Sequence, residues 1–159
     1  MLPGYAANMK RVFGSLDEFK GAVGESLGPT EWLTVTQEAI NEFANSTGDH
    51  QWIHTDPERA KDGPFGTTIA HGYWTLSLLP AFASSLYEIH GLKMGLNYGA
   101  NKVRFPDFVP VGSRLRASAA LKDTKDIAIG TQLTLEFVVE REGGSKPVCI
   151  AEVVYVMAG

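Results

Sequence analysis

A carboxylate and an imidazole lie close together in the first half of the chain, at Asp49 and His54. Such a pair is suited to activating a water molecule near neutral pH, because both groups can accept a proton there. On a continuous helix the two side chains would point roughly 140° apart. A loop bounded by Gly48 and Asp56-Pro57 would allow them to converge. The spacing alone leaves a second interpretation open, in which Asp49 caps the preceding helix and His54 caps a turn.

A second group of candidate residues is Ala70-His71-Gly72, which we expect just inside the start of a long apolar helix. The first N–H groups of a helix have no intrahelical partner, and they stabilise negative charge. Gly72 has no side chain to keep a ligand away from its N–H, which could donate to a carbonyl oxygen that becomes an oxyanion. Close packing of helix against sheet explains a glycine there equally well. His71 is more typical of a buried histidine with satisfied hydrogen bonds than of a ligand.

A metal site is the alternative interpretation of the same polar residues. His50 and His54 are four residues apart, and Asp49 and His71 could supply further ligands. The short loop that carries the first two histidines does not favour a helical histidine pair, and no cysteine contributes. We therefore predict that the chain uses no metal and no other cofactor.

The single cysteine, Cys149, lies in a run of β-forming residues, and we interpret it as a small buried apolar residue rather than a nucleophile. A lone cysteine cannot form an internal disulfide, which indicates a reducing compartment and a cytoplasmic protein. Met1–Gly14 lacks the continuous apolar segment of a signal peptide. Residues 63–87 contain no Asp, Glu, Lys or Arg, but their polar residues, glycines and Pro80 favour a helix in a protein core over a membrane span.

The composition is that of one globular domain. The chain has 159 residues, of which 44% are hydrophobic and 20% charged, and its formal net charge is -4. An acidic balance gives no electrostatic reason to expect a nucleic acid as partner. The sequence also lacks internal repeats and a nucleotide-binding glycine fingerprint. We predict a single domain over 1–159, with 1–14 as a flexible N-terminal arm.

Capping residues and hydrophobic periodicity predict the helices that would position the candidate groups. Ser15 and Glu18 have the spacing of a capping box, and Thr36 is a suitable N-cap for the next helix. The predicted elements are a helix over 15–23, a strand over 32–36, a helix over 37–45, a loop over 49–55, a helical turn from 56 and a long helix over 68–90. The long helix is apolar on nearly all sides, so other elements have to surround it, and Pro80 should interrupt it.

The last third of the chain predicts β-strands. Apolar and polar residues alternate over 114–122 and 129–141, which is typical of a sheet with one buried face. Further strands are predicted over 98–105 and 148–157, and Gly143-Gly144 is typical of a hairpin turn. Short connections between consecutive strands favour antiparallel pairing. The order of elements predicts an α+β fold, in which an antiparallel sheet wraps one buried helix.

Three blocks of sequence follow one another along most of the chain. The blocks are Phe43-Ala44 with 47–54 and 56–60, then Ile69-Ala70-His71-Gly72, and then Lys102-Val103-Arg104-Phe105 with the turn Pro110-Val111-Gly112. Together they resemble the MaoC-like (R)-specific enoyl-CoA hydratases, in which such blocks occur in the same order, so their combined specificity is high. Within the first block, the variant Asp-His-Gln-Trp-Ile-His resembles the NodN-like branch.

The resemblance implies a hot-dog fold and a homodimer whose two sheets join edge to edge, with active sites near the subunit interface. It also implies a trans-2-enoyl-CoA substrate and an (R)-3-hydroxyacyl-CoA product. The family's catalytic aspartate and histidine match Asp49 and His54, and its carbonyl-binding glycine matches Gly72. The chain departs from the family at Gln51-Trp52, where Asn-Pro is frequent, and at Pro80, near which some members have serine.

We therefore expect a reversible hydro-lyase that acts on an acyl-CoA thioester, without a membrane or nucleic-acid partner. Two other functions stay open at this point. A hot-dog thioesterase would direct a carboxylate-activated water at the carbonyl carbon and release a free thiol. A non-catalytic acyl-CoA-binding protein would bind the thioester without turnover, which the intact Asp49–His54 pair does not favour.

Overall fold

The computed structural model describes residues 10–159 and combines short helices with a large antiparallel sheet. Of the arm predicted over 1–14, residues 1–9 lie outside the described part of the chain, and Arg11–Phe13 form a strand. In chain order the elements are β1 (Arg11–Phe13), α1 (Leu16–Lys20), β2 (Ser26–Leu27), β3 (Leu33–Thr34), α2 (Gln37–Thr47), α3 (Trp52–Thr55), α4 (Pro57–Ala60), α5 (Gly72–Ser77), α6 (Leu79–Leu86), β4 (Tyr87–Ile89), β5 (Met94–Arg104), β6 (Arg114–Ile127), β7 (Gly130–Arg141) and β8 (Pro147–Ala158).

The main sheet has the strand order β2-β6-β7-β8-β5, and β3 also pairs with β6. All of these pairings are antiparallel, as predicted. Strands β6, β7 and β8 follow one another through tight turns, and Gly143 adopts a φ of 73° in the hairpin predicted between β7 and β8. Strand β5 instead crosses to the far side of β8, so it forms an edge of the sheet within the described chain.

The predicted alternation in β6 and β7 is confirmed by the core. Its inward positions carry Leu115, Ala117, Ala119, Leu121, Leu133, Leu135, Phe137 and Val139, all of them buried. Helix α6 contributes Phe82, Ala83 and Leu86 to the same core. Full burial of a leucine or phenylalanine side chain contributes about 1.5–3 kcal/mol, so this layer between sheet and helix holds α5 and α6 in place.

The long central helix predicted over 68–90 begins later and is divided in two. Its interruption at Leu78 confirms the effect expected of Pro80, whose ring would clash with the carbonyl group of Leu76 in a continuous helix. The segment before it is extended, because Ala70 donates its N–H to Val109 O at 2.8 Å and Thr68 O accepts from Val111 at 3.0 Å. These bonds to a distant loop replace the first helical turn.

The predicted end of that helix is wrong for a similar reason. Residues 87–89 form β4, which pairs in parallel with β1. Phe13, Tyr87 and Ile89 are buried in this pairing. Buried backbone groups need partners, and β1 supplies them here in place of a last helical turn.

No helix within 10–159 is long and apolar enough to cross a membrane.

The smaller helices follow their predicted caps. Ser15 Oγ accepts from Glu18 N at 3.1 Å, and Thr36 Oγ1 accepts from Ala39 N at 3.2 Å. Helix α2 ends at Gly48, whose φ of 82° is strained for other residues. The segment 49–55 is not a loop throughout, because Trp52–Thr55 form the single turn α3.

Candidate active site

Asp49 is placed by the end of helix α2. The left-handed conformation of Gly48 turns the chain away from the helix axis, and Asp49 follows immediately. Its carbonyl oxygen accepts a hydrogen bond from His71 Nε2 at 2.9 Å, which anchors the backbone at this point. The Asp49 side chain accepts from Gln51 N at 3.4 Å, but it is 54% exposed, so a small molecule can reach the carboxylate.

His54 is held in a fixed orientation by the extended segment before α5. Its side chain is buried, and its Nδ1–H donates to the carbonyl oxygen of Ile69 at 2.7 Å. Ile69 in turn donates its N–H to Ile53 O at 2.9 Å, and Gln37 Nε2 donates to the His54 carbonyl at 2.7 Å. Because Nδ1 serves as the donor, the neutral ring carries its lone pair on Nε2, as a general base requires.

Three polar side chains converge at this position. A carboxylate oxygen of Asp49 and one ring nitrogen each of His54 and His71 all lie within 4.8 Å of one another. Two hydrogen bonds of about 2.8 Å that meet at a water molecule place their acceptors about 4.6 Å apart. The spacing is therefore suited to a single water held between two of these groups.

The surroundings of His54 favour its neutral form. Burial lowers the pKa of its imidazole below the usual 6.5, and the nearby His71 ring lowers it further. The bond to the Ile69 carbonyl and the charge of Asp49 act in the opposite direction but do not outweigh burial. At pH 7 the ring is therefore available as a proton acceptor.

His71 belongs to the cluster, although the sequence indicated only a buried histidine with satisfied hydrogen bonds. Its ring stacks on His54, with centroids 3.8 Å apart and an interplanar angle of 24°. Nε2 is bonded to Asp49 O, but Nδ1 is buried without a hydrogen-bond partner among residues 10–159. His50, by contrast, is exposed and lies outside the cluster.

The same three side chains are the group within 10–159 that could hold a metal ion. Two of their ring nitrogens already donate to carbonyl oxygens, which leaves His54 Nε2 and His71 Nδ1 for coordination. His50, which the sequence also offered as a ligand, is not part of this group. The absence of a functional metal stays a prediction.

A cavity of about 410 Å³ adjoins His54. Its wall includes Gly72, Thr75, Phe105, Val109 and Val148. Gly72 is the first residue of α5, so its N–H has no partner within that helix. The structure thus brings His54 and Gly72, two of the three predicted site residues, to one cavity.

The packing explanation of Gly72 also receives support. A Cβ atom at this position would lie 3.0–3.2 Å from the ring of Phe105, closer than ordinary van der Waals contact. Any side chain at residue 72 must therefore displace a ring that itself lines the cavity. Both the packing and the ligand interpretation predict that a larger residue alters the cavity.

Sequence comparisons decide the family of the chain. The sequence profile of the MaoC like domain matches residues 18–141. The 3-hydroxyacyl-thioester dehydratase Z of Mycobacterium tuberculosis strain H37Rv is 54% identical over 143 residues, covering 89% of this chain and 95% of that protein. The chain belongs to the MaoC-like dehydratase family. Nodulation protein N of Rhizobium leguminosarum bv. viciae is 44% identical over 140 residues, covering 86% and 87% of the two chains. This bears out the resemblance to the NodN-like branch.

Solved structures agree with the hot-dog fold expected of a MaoC-like dehydratase. The monoamine oxidase regulatory protein from Archaeoglobus fulgius superimposes with a TM-score of 0.74 at 27% identity, covering 95% of this chain and 99% of that chain. An (R)-hydratase from A. caviae involved in PHA biosynthesis superimposes with a TM-score of 0.69 at 22% identity, covering 84% and 95%. As a member of the MaoC-like dehydratase family, 54% identical to a 3-hydroxyacyl-thioester dehydratase, the protein is an enzyme of the hydro-lyase class.

Trp52, at which this MaoC-like dehydratase departs from the sequence frequent in its family, packs against the residues that follow it in the chain. The guanidinium carbon of Arg59 lies 4.4 Å from the centre of the Trp52 ring. A side chain at Gly63 would collide with the same ring, since an added Cβ would lie 2.9 Å from it. Trp52 therefore fastens α3 to α4 and to the turn that follows, next to the catalytic candidates.

Burial confirms the sequence interpretation of Cys149 as a small buried residue. Cys149 is fully buried in β8, and burial raises the pKa of its thiol to about 11, which is unsuited to a nucleophile. Pro80 lines a second cavity of about 390 Å³, between α6 and strands β5 and β8 of this MaoC-like dehydratase. Its partners there include Leu76, Leu79, Tyr98 and Val153.

Proposed function

We propose that this protein is an (R)-specific enoyl-CoA hydratase that reversibly converts trans-2-enoyl-CoA into (R)-3-hydroxyacyl-CoA. The observation that carries the proposal is the meeting of a carboxylate and an oriented neutral imidazole beside the Gly72 cavity. The relative from Mycobacterium tuberculosis is named for the reverse reaction, on 3-hydroxyacyl thioesters. The fold likeness to an (R)-hydratase agrees with the same chemistry.

In the proposed reaction, Asp49 and His54 hold one water molecule. The water donates one hydrogen bond to the carboxylate and the other to His54 Nε2, whose lone pair is free because Nδ1 donates to Ile69. As the water oxygen forms a bond to C3, one of its protons passes to the pair and the π electrons shift toward the thioester. A proton then returns to C2, so the atoms of water are conserved in the product.

Gly72 is proposed to bind the thioester carbonyl. Its N–H is the first of α5 and has no intrahelical partner, so it can donate to the oxygen that gains charge as the enolate forms. A fixed donor of this kind stabilises the transition state more than the substrate, because the negative charge develops only during the reaction. The thioester itself accepts the electrons, and for this reason we propose that neither a cofactor nor a metal takes part.

We propose a homodimer as the working form. Strand β5 is an edge of the sheet within 10–159, and ten of its eleven residues are exposed. They include three large apolar side chains, Met94, Leu96 and Tyr98. Long apolar edges pair readily with another strand, and a second copy of the chain would satisfy this one. Sedimentation of a fully active monomer of about 17 kDa, the mass of one chain, would contradict the proposal.

The cytoplasmic location expected from the lone cysteine agrees with a buried, unpaired Cys149. We propose this location together with an acyl-CoA substrate, and no nucleic acid as partner.

Incubation with crotonyl-CoA tests the reaction. The expected result is loss of the enone absorbance without release of free thiol, followed by oxidation of the product by a dehydrogenase specific for (R)-3-hydroxyacyl-CoA. Thiol release at the rate of absorbance loss would instead indicate a thioesterase. Binding of crotonyl-CoA without any change in absorbance would indicate a non-catalytic acyl-CoA-binding protein.

A further inference from the structure

Thr75 lies in the wall of the His54–Gly72 cavity, in the middle of α5. The residue is only 1% exposed, and its hydroxyl group has no hydrogen-bond partner among residues 10–159. Helical serine and threonine side chains ordinarily donate to a carbonyl oxygen in the preceding turn. Ser77 of the same helix does so, donating to Tyr73 O at 2.6 Å. The Thr75 hydroxyl departs from this pattern, which leaves both its proton and its lone pairs uncommitted.

An uncommitted buried hydroxyl is costly. A buried polar group without a partner destabilises the folded state, and a valine of the same shape would avoid that loss. Among residues 10–159, the other side chains of the cavity wall that carry polar atoms are those of His54 and Asp107. Asp107 is already paired with Arg141 at 3.1 Å and with the Phe108 N–H at 2.9 Å. Thr75 and His54 are therefore the polar side chains of this wall that can still bind a substrate.

The position of Thr75 relative to Gly72 indicates which part of the substrate it meets. The two residues are three apart along α5, which corresponds to a rise of about 4.5 Å on one side of a helix. In a 3-hydroxyacyl thioester, the carbonyl oxygen and the C3 oxygen are separated by three carbon atoms and lie within about 5 Å of each other. A substrate with its carbonyl at the Gly72 N–H can thus direct its C3 oxygen toward Thr75.

We infer that the Thr75 hydroxyl binds the oxygen at C3 of the acyl thioester, which is the attacking water in hydration and the 3-hydroxyl group in dehydration. This inference rests on the proposed hydratase function. The water molecule donates its two hydrogen bonds to Asp49 and His54, and its oxygen has two lone pairs. If Thr75 donates to one lone pair, the other remains directed at C3. The hydroxyl group thereby orients the nucleophile without exchanging a proton of its own.

A matched pair of variants tests the inference. Thr75→Val removes the hydroxyl at nearly constant shape, and Thr75→Ser retains it. The probes are two inhibitors of crotonyl-CoA hydration, namely (R)-3-hydroxybutyryl-CoA, which carries the C3 oxygen, and butyryl-CoA, which lacks it. Thr75→Val should raise the inhibition constant of the hydroxylated compound about tenfold and leave that of butyryl-CoA within about twofold. Thr75→Ser should behave like the wild type toward both.

The melting temperature of Thr75→Val should not fall, because the valine removes an unsatisfied polar group from the interior. If this variant does not fold, Thr75→Ala removes the same hydroxyl and must show the same selectivity between the two inhibitors. Equal weakening of both inhibitors, or no weakening of either, in an enzyme whose wild type hydrates crotonyl-CoA would overturn the inference alone. A wild type that neither hydrates crotonyl-CoA nor prefers the hydroxylated compound would overturn the proposed function together with it.

Discussion

Replacing either member of the Asp49–His54 pair is the most direct test of the proposed site. Asp49→Asn keeps the shape of the side chain but removes its charge, and His54→Gln can still donate to Ile69 O but lacks the accepting Nε2. The polar atoms of the two residues lie within 4.8 Å, close enough to share one water. The loss of either group should lower kcat about 100-fold or more, which corresponds to about 2.7 kcal/mol of transition-state free energy.

The double variant separates a shared water from two independent contributions. Independent effects of about 100-fold each would multiply to about 10,000-fold. Groups that act as one unit are not additive, so the double variant should be little slower than the poorer single variant. A loss of kcat near 10,000-fold in the double variant would refute the shared water, even if both residues prove catalytic.

The two single variants should differ in stability. The Asp49 side chain is 54% exposed, so Asp49→Asn should leave the melting temperature unchanged. His54 is buried in α3 and bonded to Ile69 O at 2.7 Å, so His54→Gln should lower the melting temperature. Weakening that bond costs about 1 kcal/mol, or about 2–4 °C in a domain of this size.

The assay is the initial rate of absorbance loss with saturating crotonyl-CoA, normalised to the folded fraction measured by circular dichroism. His50→Gln is the matched control, because His50 is exposed and lies outside the Asp49–His54–His71 cluster. It should retain most activity. An active His54→Gln together with an inactive His50→Gln would refute the assignment within this segment.

Three further outcomes are expected. Gly72→Ala should lower kcat/KM about 10-fold or more, because its Cβ must displace Phe105 into the cavity; a folded variant with normal kinetics would leave Gly72 without a role. Since burial lowers the pKa of His54, the neutral imidazole predominates at pH 7, and kcat/KM should be level there and fall with a midpoint below 6.5. Any stability gained from the neutral ring should likewise be present above pH 6.5 and decline as the pH falls through the lowered pKa. Dialysis against a strong chelator should leave hydration unchanged, whereas a loss restored by zinc alone would favour a metal at the Asp49–His54–His71 cluster.

Local interactions made much of the secondary structure predictable. Ser15 and Thr36 cap helices through backbone N–H groups only three residues away, so the sequence carries the whole motif. The alternation in β6 and β7 was equally predictable, since each strand has one face toward the core. Gly48 and Gly143 ended a helix and formed a turn because their positive φ angles favour glycine.

The central helix was mispredicted because distant residues compete for its ends. Apolar composition extends from 68 to 90, but it does not indicate which backbone partner a segment will use. The segment 68–70 bonds to residues 109 and 111, and Tyr87–Ile89 pair with Arg11–Phe13. Contacts so far apart in the chain leave no periodic signal at either end.

The sequence by itself determined the types of chemical group available. It contained the Asp49–His54 pair in a short polar segment and Gly72 near a helix start, because these features depend on neighbouring residues. Only the tertiary structure decided that His71 stacks on His54 and that Phe105 packs on Gly72. It alone decided that the Thr75 hydroxyl lies buried in the cavity wall without a partner, since burial and the choice of hydrogen-bond partner depend on elements that meet only when the whole chain has folded.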